Sequence, residues 1–311
     1  MIYSVDDAAI NSSAASVLSP KVVYSEAFRR VFPFAHNKQL RNSYMEIIGS
    51  CNGFVCLSIC YSRFWGENEN TICVWNPSTG EYKAIPPARL LNHKTDQIGF
   101  CYDSNIHDYK VVKVRDRKIH GFDSVDVYAL KSNSWTSVHQ QNSYLFPIEE
   151  RGSGFLFNGA LHRKGFRITL NRVIVYFDIN NKKLADFPFP KLDFPLKKIE
   201  REQSGALYDN LDTSVGILGG LLCLAIDVGK SRTDIWVMQD YGVNDSSTKL
   251  FSTLIYCSFM RPSLHLDNGE ILMDTKVGLV MFDKKYERWR DLKVNTESVH
   301  ALLLWDSSDA E

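Results

Sequence analysis

The chain reads as an all-β protein, a β-propeller of four-stranded blades, and three observations carry that reading. An aromatic ends an apolar run, a polar turn follows, and a second large side chain appears seven positions on, at Trp75/Tyr82, Tyr128/Trp135, Phe177/Leu184 and Phe282/Trp289. The first members recur near one or two multiples of about 40–50 residues, the period that blade-by-blade architectures leave in a sequence. Asn-Gly at 52–53, 158–159 and 268–269 and Gly-Gly at 219–220 separate short apolar runs. Such dipeptides suit two-residue hairpins because both turn positions need positive φ. No stretch sustains a helical hydrophobic period.

Each unit supplies four strands in order. The first has Glu46 to Gly49, Phe54 to Ile59, Thr71 to Trp75 and, after the Asn76-Pro77-Ser78-Thr79-Gly80 turn, Tyr82 to Ile85. The second has Ile98 to Asp103, Tyr109 to Val114, Val125 to Leu130 and Trp135 to Val138. The third has Gly154 to Phe157, Ala160 to His162, Val173 to Asp178 and Leu184 to Phe187. The fourth has Val215 to Leu218, Leu221 to Ile226, Ile235 to Met238 and Leu250 to Ile255, its last turn widened by Asp240 to Ser247. The fifth has Leu264 to Leu266, Ile271 to Asp274, Leu279 to Phe282 and Trp289 to Leu292. Runs apolar on both faces are what a blade needs when neighbours cover both of its sides.

Val22 to Phe34 and Val299 to Trp305 remain. A circular array closes by pairing strands from its two ends, so these form a composite sixth blade; five or seven blades are the alternatives. The division expected is a flexible Ser/Ala/Asp-rich lead-in over 1–19, a propeller domain over 20–306 and a tail over 307–311.

Composition narrows the function classes. The chain has 311 residues, 44% hydrophobic, with 36 Lys plus Arg against 36 Asp plus Glu. A balanced charge offers no global field for nucleic acid or an anionic membrane, and neither partner is expected. No apolar stretch reaches the roughly 18 residues of a membrane span. The N-terminus has no basic start and no apolar block, unlike a secretory signal. Seven cysteines, an odd number, fit reduced thiols in the cytoplasm, the nucleus or both. Cys51, Cys56 and Cys60 lack a CxxC pair, and Cys56 in Phe-Val-Cys-Leu reads as a small buried hydrophobe, so no metal site is expected.

The phrasing of the repeat resembles the F-box-associated domain of plant F-box/kelch-type proteins. The resemblance is carried by Ile48-Gly49-Ser50-Cys51-Asn52-Gly53-Phe54-Val55-Cys56-Leu57, Val74-Trp75-Asn76-Pro77-Ser78-Thr79-Gly80-Glu81-Tyr82 and Gly99-Phe100-Cys101-Tyr102-Asp103. It continues through Asp126 to Trp135, Phe157 to His162, Gly219 to Leu224 and Ile235 to Met238, in order from about residue 28 to 305. The resemblance implies a substrate-receptor propeller of an F-box-type ubiquitin ligase. Family members carry a helical F-box ahead of this domain, and no such segment is recognised here. The adaptor subunit is therefore expected as a partner only where an F-box lies upstream.

Catalytic motifs fail. Gly229-Lys230-Ser231 resembles the end of a P-loop, but Leu224 stands where the leading glycine belongs and strands flank the turn. The eight histidines are scattered, and a lone strand residue such as His162 or His300 reads as packed or surface-satisfied. No enzyme activity and no cofactor are expected.

Strand alternation places the loops between second and third strands, and those between blades, on one face. The short turns lie on the other, which offers little to a partner. On the long-loop face, Arg63, Phe64, Trp65, Lys118, His120, Tyr144, Phe146 and Phe194 are nominated as partner-binding residues. Aromatics and arginine bury much area at low entropic cost. The partner is expected to be a protein substrate. A glycan- or small-molecule-binding propeller is the alternative reading, and a propeller enzyme the third.

Overall fold

The computed structural model describes residues 2–6, 22–25, 28–30, 43–62, 68–87, 97–114, 124–139, 144–146, 155–192, 200–201, 207–208, 211–228, 231–243, 245–254, 261–265, 269–275, 278–294 and 301–305. Every regular element among them is a strand. The chain opens with β1 (Ile2–Asp6), β2 (Val22–Ser25) and β3 (Phe28–Arg30). Blade one is β4 (Ser43–Cys51), β5 (Phe54–Ser62), β6 (Asn68–Trp75) and β7 (Tyr82–Ile85). Blade two is β8 (Gln97–Asp103), β9 (Asp108–Val114), β10 (Ser124–Ala129) and β11 (Ser134–His139). Blade three has five strands: β12 (Tyr144–Leu145), β13 (Phe155–Phe157), β14 (Ala160–Arg167), β15 (Arg172–Asp178) and β16 (Lys183–Pro188). A small hairpin, β17 (Glu200–Arg201) with β18 (Leu207–Tyr208), precedes blade four. That blade is β19 (Thr213–Leu218), β20 (Leu221–Val228), β21 (Arg232–Met238) and β22 (Ser247–Thr253). Blade five is β23 (Arg261–His265), β24 (Glu270–Thr275), β25 (Gly278–Asp283) and β26 (Arg288–Val294), and β27 (Ala301–Trp305) follows.

The seven-residue pairs of the sequence are direct cross-strand neighbours. Trp75 faces Tyr82, Tyr128 faces Trp135, Phe177 faces Leu184 and Phe282 faces Trp289, each between third and fourth strands. Opposed large side chains of this kind are the unit from which sheets gain stability. The hairpin dipeptides adopt the backbone they were read for: φ is +46° and +75° at Asn52 and Gly53, and +48° and +72° at Asn158 and Gly159.

Side-chain alternation then stacks the blades. On β9, Val111 enters the core shared by blades one and two, with Cys56, Val74 and Phe100. Its neighbour Val112 enters the next core, with Leu161, Val175 and Phe177 of blade three. On β15, Ile174 turns the other way, joining Phe187, Leu224 and Trp236 between blades three and four. On β20, Cys223 and Ala225 pack against Ile271, Met273 and Phe282 of blade five. A period of two divided between two cores explains the unbroken apolar runs within these strands, Val111-Val112, Val173-Ile174-Val175 and Leu221 to Ile226. First strands of successive blades adjoin, β4 with β8, β8 with β13, β13 with β19 and β19 with β23, and β27 returns to β4.

The closure differs from expectation in three ways. The chain ends do pair, but in a three-stranded sheet ordered β27-β1-β3, and the described residues build five blades rather than six of four strands each. Strand β1 lies within the segment read as a flexible lead-in, yet it pairs in parallel with β27 from Ile2/Ala301 to Asp6/Trp305. Strand β2, assigned to the sixth blade, instead extends the outer edge of blade five, parallel to β26. An unpaired outer edge has a row of open backbone groups, and β2 pairs those of β26.

Candidate functional site

Alternation of strand direction sorts the turns by face. The β4–β5, β6–β7, β8–β9, β10–β11, β13–β14, β15–β16, β19–β20, β21–β22 and β25–β26 connections share the short-turn face, and the β14–β15 turn opens on the opposite one. Of the eight nominated residues, Arg63, Phe64, Trp65, Lys118, His120 and Phe194 lie outside the described residues. Tyr144 and Phe146 are described, and both correct the expectation: they are 5% and 4% exposed, turned into the protein rather than toward a partner.

The reason is β12, which adds to the end of β14 through Tyr144/Arg167 and Leu145/Phe166. The Tyr144 hydroxyl donates to Asp186 Oδ2 at 2.9 Å, and Arg167 closes on the same carboxylate through Nε at 3.1 Å and Nη2 at 2.5 Å. Burial, then the Asp186 carboxylate, raises the Tyr144 phenol pKa, while that carboxylate also raises the pKa of Arg167. Phe146 joins the core between blades two and three, with the Arg163 guanidinium carbon 6.0 Å from its ring. At this corner the chain presents Arg167 and Ile168, both exposed, which the sequence reading passed over. Their signal was a turn of only four residues, where longer loops drew attention.

His162 is the buried titratable group closest in kind to a catalytic residue, and its surroundings account for it. Its Nδ1–H donates to the Phe155 carbonyl at 3.4 Å, which leaves Nε2 to accept from the Tyr241 hydroxyl at 2.9 Å. Its ring stacks on Tyr176 and Phe187, with centroids 5.8 and 6.2 Å away. Burial lowers its pKa to about 4, outweighing the carbonyl contacts, so at neutral pH it is an uncharged core residue. Burial also lifts the Tyr241 phenol to about 12. Tyr241 comes from the widened β21–β22 turn, so the pair staples blade four onto blade three.

Other ionisable groups are likewise engaged within or between blades. Lys110 pairs with Asp103, Arg290 with Glu270, and Asp234 holds Arg232 at 3.0 Å and Lys249 at 3.7 Å. Burial pushes the Asp103 carboxyl up, but Lys110 and the Asn105 and Ile106 amides more than offset it, leaving its pKa below the ordinary value. Lys164 Nζ donates to the Leu211 carbonyl at 2.8 Å, tying β14 to the entry of β19. Burial drives the Cys73 and Cys223 thiols to about 12, far from the thiolate a nucleophile requires. Ser231 of the P-loop-like triplet turns between two strands, its N–H on the Val228 carbonyl at 3.3 Å.

The short-turn face is less plain than the sequence implied. Ile106, Val243 and Tyr286 stand on turns of blades two, four and five, each more than half exposed.

Comparison with known proteins places this geometry. Residues 7–299 match the family model of the F-box associated β-propeller domain. The Arabidopsis thaliana F-box protein CPR1 is 29% identical over 282 residues, covering 80% of this chain and 63% of that protein. The Arabidopsis thaliana F-box protein At4g22390 is 28% identical over 273 residues, 77% of this chain and 62% of that protein. The Arabidopsis thaliana F-box/kelch-repeat protein At3g23880 is 22% identical over 247 residues, 78% of this chain and 62% of that protein. The chain thus spans less than two thirds of the length of these relatives. With four-stranded blades in series and a family match across nearly its whole length, the chain belongs to the F-box associated β-propeller family.

Proposed function

We propose that the chain is the protein-recognition part of an F-box-type ubiquitin-ligase receptor, binding a protein substrate and holding it for ubiquitin transfer. Family membership over residues 7–299, with relatives named as F-box proteins, is the observation that carries this reading. Chemistry supports it: the buried histidine, the thiols and the acidic side chains described above are engaged in packing or in ion pairs, leaving recognition as the work of the rim. Attachment to the ligase adaptor is proposed only where an F-box lies upstream of this domain, and the compartment proposed is the cytoplasm or nucleus.

The test joins the propeller to a known F-box in a reconstituted ligase and captures proteins from plant extract on the immobilised chain. Retained proteins that the fusion ubiquitinates, and that the F-box alone does not, are the expected outcome. If nothing is retained and ubiquitination does not depend on the propeller, the reading is overturned.

A further inference from the structure

The third-to-fourth-strand turn recurs in all five blades, and its contents differ in the last two. In blades one, two and three its tip is small or polar: Pro77-Ser78-Thr79-Gly80, Lys131-Ser132-Asn133 and Asn180-Asn181-Lys182. In blade four it carries Tyr241, which turns inward onto His162. In blade five the same turn, Lys284-Lys285-Tyr286-Glu287, carries a tyrosine that turns outward, 59% exposed.

That turn is held in shape. The Asp283 carboxylate accepts from the Lys285 and Tyr286 amides at 2.9 and 3.2 Å, Glu287 has φ +49°, and Asp283 pairs with Arg288 across the hairpin. Three cations decorate it. Lys285 Nζ lies 5.2 Å and the Arg288 guanidinium carbon 5.7 Å from the Tyr286 ring, and Lys284 Nζ lies 5.9 Å from the Phe251 ring. Cation–ring contacts at exposed sites hold side chains in place cheaply, so the aromatic and its positive surround are already arranged before any partner arrives.

We infer that this turn is a docking point for an acidic peptide segment of a protein partner, with an apolar side chain of that segment set against Tyr286. Tyrosine and arginine are the residue types that dominate interface energies, and a carboxylate-bearing segment complements three cations set against Glu287 and an Asp283 whose carboxylate is engaged by two amides of the turn. A nucleic acid fits less well, because the chain has equal numbers of acidic and basic residues. The inference goes beyond the proposed function by placing a contact on the short-turn face, and direct peptide binding tests it apart from substrate capture.

The experiment titrates the full chain against a fluorescein-labelled peptide of glutamates around one central phenylalanine, read by anisotropy. Saturable binding is expected, weakening several-fold from low to physiological salt as charge screening dictates. Lys284→Glu with Lys285→Glu and Arg288→Glu is expected to weaken it at least tenfold, and Tyr286→Ala several-fold, each with unchanged melting. Reversing Lys182 and Lys183 on the equivalent turn of blade three serves as the control and is expected to leave binding intact. The inference is overturned by absence of saturable binding, by equal binding of the triple variant, or by oligothymidylate of matched charge binding as tightly as the peptide.

Discussion

His162 shows how much one side chain can report about this protein. Unfolded, its imidazole titrates near the ordinary 6.5; folded, near 4. Between those values the unfolded chain holds more protons, so stability falls as pH drops from about 6.5 toward 4. The shift corresponds to about 3 kcal/mol at the acid end of that window. Urea unfolding at pH 7 and pH 4.5 is expected to show this loss in the native chain and a flatter profile in His162→Gln. Equal slopes in both would refute the assignment. Little of this was legible in the sequence. A lone histidine in a strand could be read as packed, but its partner Tyr241 lies in another blade, and no local pattern joins them. Tyr144 failed for the same reason, since its bond to Asp186 depends on β12 adding to a strand that begins sixteen residues later.

At the scale of the element, strands within blade three approach closely at Gly165, and blades two and three at Gly99, because glycine replaces a side chain. A Cβ on Gly165 would lie 2.6 Å from Val175 Cγ2 and 3.3 Å from Phe146 Cε1, with the Leu145 carbonyl behind. A Cβ on Gly99 would lie 2.7 and 2.9 Å from the two Cδ methyls of Leu161. Valine has little rotamer freedom to yield, whereas a leucine tip can turn away. Gly165→Ala is therefore expected to cost about 1–3 kcal/mol of stability and Gly99→Ala less, the order read from thermal melting. A larger loss at Gly99 would contradict the packing described. Elements were the most legible scale. The Trp75/Tyr82 spacing specified a hairpin because third and fourth strands face each other with the same turn between them, and Asn52-Gly53 needs no tertiary help to reverse the chain.

The whole molecule depends on how its ends meet, and here the sequence was least informative. Strands of three to five residues such as β1 and β3 have no periodic signature. Parallel pairing of Ile2 with Ala301 is fixed by ring geometry, not by any local run of residues. Counting leftover segments as a sixth blade missed that β2 goes to the edge of blade five. Removing residues 1–6 is expected to lower the melting temperature and to leave the Ala301-Leu302-Leu303-Leu304-Trp305 strand with an open edge, which light scattering would detect as aggregation. A truncated chain that melts and scatters like the native one would show that the closing sheet contributes nothing.

The pairing of β1 with β27 also sets a timetable. On the ribosome, the β1 strand must wait, backbone unsatisfied, while all five blades are synthesised, because its neighbour β27 follows them in sequence. Blades one to five can collapse in turn as they appear; the seam joins only after them. Contacts so remote in sequence form slowly, and the interval before they form is when a nascent chain of this kind most needs protection from other chains.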